Sequence, residues 1–190
     1  KQKDKATKYA VRENLREKTK FLVRDFMDTG FPDNTFDVVW GIESVCHAED
    51  KFDFLKEAFR ILKPGGRLIV ADGFLRRVPL ASEQKLYEEF LKGFALDNLA
   101  TVESFSLDMK RAGFRNIKIL DKTKQIEKTS EQMYQLSTRW IWLNKTLRFL
   151  RLIPQLMEDN MSAGIVQREF FKDLGEYAIF YGEKNSSGQV

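Results

Sequence analysis

The segment from Phe36 to Phe74 constrains the fold more than any other part of the chain. It opens with FDVVWG, passes through KFDFLKEAFRILKPGG, and ends in RLIVADGF. The first and last pieces are short apolar runs, the pattern of strands buried on both faces of a parallel sheet. Between them Phe52, Leu55, Ala58, Phe59 and Leu62 recur at helical spacing, with Asp50 placed in front where it complements the helix dipole. Pro64 and Gly65 stop the helix. Strand, helix and strand form one crossover unit, and such units are right-handed and belong to helix-covered sheets. An α/β fold follows. The KPGG turn reads as a structural stop, since its glycines do not match a phosphate loop.

The flanking sequence extends this plan. KQKDKATKYAVRENLREK has helical composition and no N-cap before it, so the chain is expected to begin inside a helix. KFLVRDF (Lys20–Phe26) reads as a short strand and DTGFPDNT as a turn. Helical patterns follow Pro79, in SEQKLYEEFLKGFALDNL and VESFSLDMKRAGF, and RNIKILDKT reads as a strand. A capping-box pattern at Thr129 and Gln132 predicts a helix running to Ile153, and Pro154 is placed to open another. EYAIFYGEK (Glu176–Lys184) is the expected last strand, and 185–190 the tail. At 190 residues the chain can bury one sizeable core, so 1–184 is expected to lie in a single domain.

Charge and cysteine usage remove several classes of function. The net charge is only +4, with Lys and Arg interleaved with Asp and Glu, which argues against a nucleic-acid partner. One cysteine forms no internal disulfide, and with a single histidine it cannot fill a closed metal shell, so no metal is expected. No apolar run reaches the roughly 20 residues of a membrane span, and no signal peptide is visible, so a cytoplasmic location is the expectation. The helix Ser130–Ile153 is basic and carries Trp140, Trp142 and Phe149. Those rings suit an apolar substrate cover, a contact between subunits in a homodimer, or a peripheral contact with a membrane surface.

The chain's only cysteine and only histidine, Cys46 and His47, follow the first strand of the crossover unit together with Glu43. If the segment turns helical after Gly41, Glu43 and His47 share one face, four residues apart. A neutral imidazole there can take a proton as a general base. Equally, His47 can be a loop cap with Glu43 as its partner. Cys46 reads as a small buried hydrophobe.

Taken in order, FLVRDF, GFPDNTFDVVWGIES, ILKPGGRLIVAD, AGFRNIKI and YAIFYGEK resemble the later part of a class I S-adenosylmethionine-dependent methyltransferase. The closer likeness is to the small-molecule branch with tocopherol, sterol and sarcosine-type enzymes, and it covers Lys1 to about Lys184. The resemblance implies a Rossmann-like sheet, mostly parallel with its last strand antiparallel, and a helical cover over about 80–112 and 128–174. It implies S-adenosylmethionine as cofactor and methyl transfer to carbon, nitrogen or oxygen of a small lipophilic acceptor. Asp25 would accept from the adenine amino group and the Phe26 N–H would meet a ring nitrogen, with a turn cap as the plainer role for Asp25. Trp40, Gly41 and Ile42 would flank the methionine end, Ile42 having core packing as its alternative. Glu43 and His47 would border the acceptor as catalytic groups, Glu43 steadying a carbocation if the acceptor is an alkene. Trp140, Trp142 and Phe149 would line the substrate pocket.

One departure matters. The eleven glycines include a single adjacent pair, Gly65–Gly66, and no G-x-G-x-G. Neither the glycine-rich loop nor the strand whose terminal acid grips the cofactor ribose is present. The expectation is therefore a sheet lacking the family's first two strands, a fragment that binds cofactor poorly and is inactive alone. The competing expectation is a non-catalytic methyltransferase-like module that acts by association. A nicotinamide oxidoreductase is disfavoured because no dinucleotide fingerprint occurs.

Overall fold

The computed structural model describes residues 1–152 and 155–186. Its elements are α1 (Gln2–Arg12), β1 (Phe36–Ile42), α2 (Lys51–Ile61), β2 (Leu62–Leu75), α3 (Gln84–Phe94), α4 (Val102–Arg111), β3 (Arg115–Asp121), α5 (Thr123–Phe149), α6 (Gln155–Asp173) and β4 (Gly175–Glu183). The sheet order is β1-β2-β4-β3. β1 pairs parallel to β2, and β4 lies antiparallel to both β2 and β3. Three strands thus run one way and the last, inserted between them, runs the other, as expected. Pro154 and the end of the tail, 187–190, lie outside the described residues.

The crossover unit forms, but α2 ends at Ile61 and Leu62 with the KPGG segment belongs to the start of β2 rather than to the helix and its stop. Asp50 caps α2 by accepting from the Phe52 N–H at 2.7 Å, and the helix passes directly into β2. Alternation along β2 buries Leu68, Val70, Asp72 and Phe74 on one face and leaves Ile69 and Ala71 half-buried on the other. The buried face packs with Leu55 and Ala58 of α2, Phe105 and Met109 of α4, and Phe180 of β4. The Phe74 ring lies 5.0 Å from Phe105 and 4.8 Å from Phe180, centroid to centroid. Helix α4, expected in the cover, therefore serves the sheet.

Two expectations fail at the β1 side. FLVRDF is irregular backbone, not a strand, and Leu22 and Val23 are exposed. Nor is β1 buried on both faces: Trp40 is 69% exposed, and Val38 and Ile42 are exposed as well. The cause is common to both. Among the described residues β1 has one neighbour, β2, and no strand lies on its other edge for FLVRDF to join.

A second layer of helices stands over the strand ends. α3 and α5 both pack on α6, and Phe90 of α3 stacks on Phe170 of α6 at 3.8 Å. Close approach is written into two glycines. A methyl group on Gly93 would overlap Ala163, and one on Gly164 would overlap the Ser137 side chain. The capping-box pattern at Thr129 falls inside α5, which starts at Thr123 after an N-cap, Lys122, without a side-chain cap; the Asp121 carboxylate accepts from the Thr123 N–H at 2.8 Å. No helix among the described residues is long and apolar enough to cross a membrane.

Candidate active site

The chain leaves β1 through a tight corner. Glu43 takes a left-handed backbone conformation (φ 46°), and its N–H donates to the Ala71 carbonyl of β2 at 2.9 Å. A single turn of 3₁₀ helix, Val45–His47, follows. Val45 drops into the core and Gly41 lies beneath it, a Cβ on Gly41 coming within 2.9 Å of the Val45 side chain. The glycine is thus explained by packing within the corner.

Two buried charges hold this corner. Asp72, at the end of β2, is 2% exposed, and its Oδ2 accepts from the Ser44 N–H at 3.1 Å and the Cys46 N–H at 2.9 Å. Its Oδ1 accepts from the Gly73 N–H at 2.8 Å. On the far side the Lys51 ammonium donates to the carbonyls of Cys46 (3.0 Å), Ala48 (2.6 Å) and Asn98 (3.1 Å) and to Asn98 Oδ1 (2.7 Å). Burial lowers the Lys51 pKa, and neighbouring anionic groups including Asp72 oppose that shift. A carboxylate and an ammonium therefore fix the loop's amides and carbonyls from opposite ends. The loop cap expected of the Glu43–His47 pair is performed by these two residues.

Glu43 and His47 are left free for other work. Both side chains line a cavity of about 300 Å³ at the carboxyl ends of β1 and β2. Their expected partnership is not seen. Glu43 Oε1 accepts instead from the Tyr177 hydroxyl of β4 at 3.2 Å. The sheet register puts Tyr177 beside Gly73, which brings the phenol to the loop. Burial first, and then the Glu43 carboxylate, push the Tyr177 phenol up to about 12, so it stays a proton donor at neutral pH. Phe90, Phe94, Leu96, Met133 and Phe171 supply an apolar wall.

Cys46 lines the same cavity and is half-buried rather than fully buried. Its thiol is pushed up to about 12, chiefly by burial and then by the nearby Asp72 carboxylate. A shift from 9.0 to about 12 leaves about 10³-fold fewer thiolates at a given pH. Iodoacetamide should therefore alkylate Cys46 about 10³ times more slowly than a cysteine in a flexible peptide. Rapid labelling followed by mass spectrometry would refute the burial argument.

The remaining expected site residues fall elsewhere. Asp25 Oδ1 accepts from the Met27 N–H at 2.8 Å, the turn-cap geometry, and the Phe26 ring meets Phe54 edge-on at 5.9 Å. Trp40 and Ile42 point from the exposed edge strand. Trp140, Trp142 and Phe149 do not line the cavity: they lie on the outer half of α5, whereas Ile126, Thr129 and Met133 of its first half do. Asp72, Lys51 and Tyr177 carry the site's architecture and were not singled out in the sequence. The available signal for Asp72 was an acid ending an otherwise apolar strand, LIVAD. A larger cleft of about 750 Å³ opens beyond Ile126 and Phe171, lined by Arg76, Asp121, Glu131 and Arg168. It contains none of the strand-end loop, and ion pairs Arg76–Glu176 and Arg168–Glu131 occupy much of its charge. No cluster of three His, Cys, Asp or Glu suited to a metal occurs among the described residues.

Residues 1–70 match a family model described as a methyltransferase domain. Over 116 residues the chain is 38% identical to sterol 24-C-methyltransferase erg6 of Aspergillus fumigatus, covering 58% of this chain and 30% of that protein. A structure of a putative sarcosine dimethylglycine methyltransferase from Galdieria sulphuraria superposes with a TM-score of 0.76 at 16% identity, over 97% of this chain and 66% of that one. Geranyl diphosphate C-methyltransferase of Streptomyces coelicolor, solved with Mg²⁺, geranyl-S-thiolodiphosphate and S-adenosyl-L-homocysteine, gives 0.72 at 20% identity, over 96% of this chain and 58% of that one. The matched segment thus spans under a third of the fungal relative's length.

Proposed function

We propose that this chain is part of a class I S-adenosylmethionine-dependent methyltransferase of the branch that acts on small molecules, and that its cavity holds a small lipophilic methyl acceptor. The observation that carries the reading is the apolar cavity at the carboxyl ends of β1 and β2, with Glu43, His47 and Tyr177 on its lining. Ligands of open α/β sheets bind outside the carboxyl ends of the strands. The wall of Phe90, Phe94 and Phe171 excludes water and suits an apolar body, while the three polar groups can orient one reacting atom.

Bound S-adenosylmethionine supplies a methyl group already activated on a sulfonium. The residues at hand fit part of that cofactor. The exposed Asp25 carboxylate keeps Oδ2 for an adenine amino group after Oδ1 has capped its turn, and the Phe26 N–H lies beside it. Trp40, Gly41 and Ile42 would take the methionine end, where the Glu43 carboxylate favours positive charge. No glycine-rich turn accompanies them in these residues. On the acceptor side His47 removes a proton from an amine, phenol or acidic carbon. Glu43, held by Tyr177, steadies positive charge on an acceptor that has no proton to lose at first.

The alternative is a methyltransferase-like module that acts by association without catalysis. Transfer of label from tritiated S-adenosylmethionine to a panel of hydrophobic phenols, amines and alkenes separates the two. Label extracted with one acceptor class supports catalysis and names the atom methylated. Run on the intact parent protein, no label together with no heat of binding for S-adenosylhomocysteine sinks the catalytic reading.

A further inference from the structure

We propose that the outer half of α5 is a docking surface for an anionic phospholipid bilayer. The sequence from Gln132 to Met157 contains no Asp or Glu, yet it carries Arg139, Lys145, Arg148 and Arg151. Elsewhere the chain mixes its remaining 28 basic residues closely with all 28 acidic ones. This one stretch departs from that balance, and it is also where large apolar side chains stand in solvent. Trp142 is 63% exposed, Phe149 86% and Leu152 67%, with Leu136 and Leu150 also exposed. The Arg139 guanidinium lies 5.6 Å from the Trp140 ring centre, so the cation and aromatic surfaces are joined.

Aromatic rings seated at headgroup depth, with Lys and Arg reaching lipid phosphates, are the chemistry of interfacial helices. Anionic lipid complements a run of sequence that carries cations and no carboxylate of its own. A second copy of the chain complements it poorly, because a two-fold contact would bring Arg139, Lys145 and Arg151 against their own copies. A nucleic acid would satisfy the cations but leave Leu136, Leu150 and Leu152 without apolar partners. The inference does not depend on methyl transfer.

Flotation of the purified protein with vesicles tests it. Vesicles containing phosphatidylglycerol should carry the protein upward, vesicles of phosphatidylcholine alone at least about tenfold less, and added salt should weaken the binding. Lys145→Gln with Arg151→Gln should lower partitioning about twentyfold, roughly fivefold per cation. Trp142→Ser with Phe149→Ser should lower it more than about tenfold. All four residues are exposed, so melting temperature and far-UV dichroism should be unchanged in both variants. Absence of binding to the anionic vesicles overturns the proposal. So does binding undiminished in both variants, which would move the contact to another surface such as the exposed edge around Trp40. Self-association without lipid that disappears in Trp142→Ser/Phe149→Ser would assign the surface to a second copy instead.

Discussion

In the intact parent protein, His47→Gln should lower turnover by about 10²–10⁴-fold while leaving S-adenosylmethionine affinity within about twofold of wild type. The imidazole lines the cavity proposed to take the acceptor, and only its backbone takes part in the loop, the His47 N–H donating to the Ser44 carbonyl at 3.2 Å. The loop is held by Asp72 and Lys51, so Gln at this exposed position should not disturb it. Steady-state rates, with calorimetry for the cofactor, provide the check. Glu43→Gln and Tyr177→Phe complete the comparison. If Glu43 steadies a cationic acceptor, its variant loses rate at every pH, and Tyr177→Phe loses less because the carboxylate remains. Full activity in His47→Gln would show that the acceptor loses no proton to this residue, and would leave Glu43 as the group that acts.

How much of this could be read before the fold was known depends on the range of the forces involved. The crossover unit was legible because periodicity is local: Phe52, Leu55, Ala58 and Phe59 mark a helix whatever surrounds them. Glu43 and His47 were legible as a pair because they follow the end of a strand, and both do reach one cavity. Their partners were not. Tyr177 meets Glu43 across 134 positions of sequence, through the β2–β4 register, and Asp72 reaches Cys46 across 26. Burial also failed as a local inference. FDVVWG has the composition of a central strand, but exposure follows the number of neighbours, and β1 has one among the described residues. Trp140, Trp142 and Phe149 were expected in the pocket from residue type alone. Their place along α5 decides otherwise: at about 1.5 Å per residue, Phe149 lies about 24 Å along the helix from Met133, which lines the cavity.

Asp72→Ala should destabilise the fold by about 3–5 kcal/mol, the largest stability change of any single substitution considered. Three backbone N–H groups, from Ser44, Cys46 and Gly73, would lose their acceptor. Each unpaired buried donor costs about 1–3 kcal/mol, and the losses overlap because one loop carries two of them. Lys51 would also lose a favourable anionic neighbour while remaining 7% exposed and surrounded by carbonyl oxygens. Urea unfolding at neutral pH measures the loss, and a change under about 1 kcal/mol would show that the corner does not depend on this carboxylate. Asp72→Asn keeps one acceptor oxygen and the shape, so it should cost less and remain folded. That variant separates position from stability. Its corner loosens, so Cys46 should alkylate faster, both because the thiol loses the neighbouring charge that helps hold its proton and because the loop opens more often. Its turnover should fall although Asp72 donates nothing to the acceptor, since Glu43 and His47 keep their cavity positions only while the amides of Ser44 and Cys46 are held. Lys51→Met tests the other end of the same loop. Coupling between Asp72→Asn and Lys51→Met of more than about 0.5 kcal/mol in a double-mutant cycle would show that the two charges act as one clamp, and additivity would separate them into independent anchors.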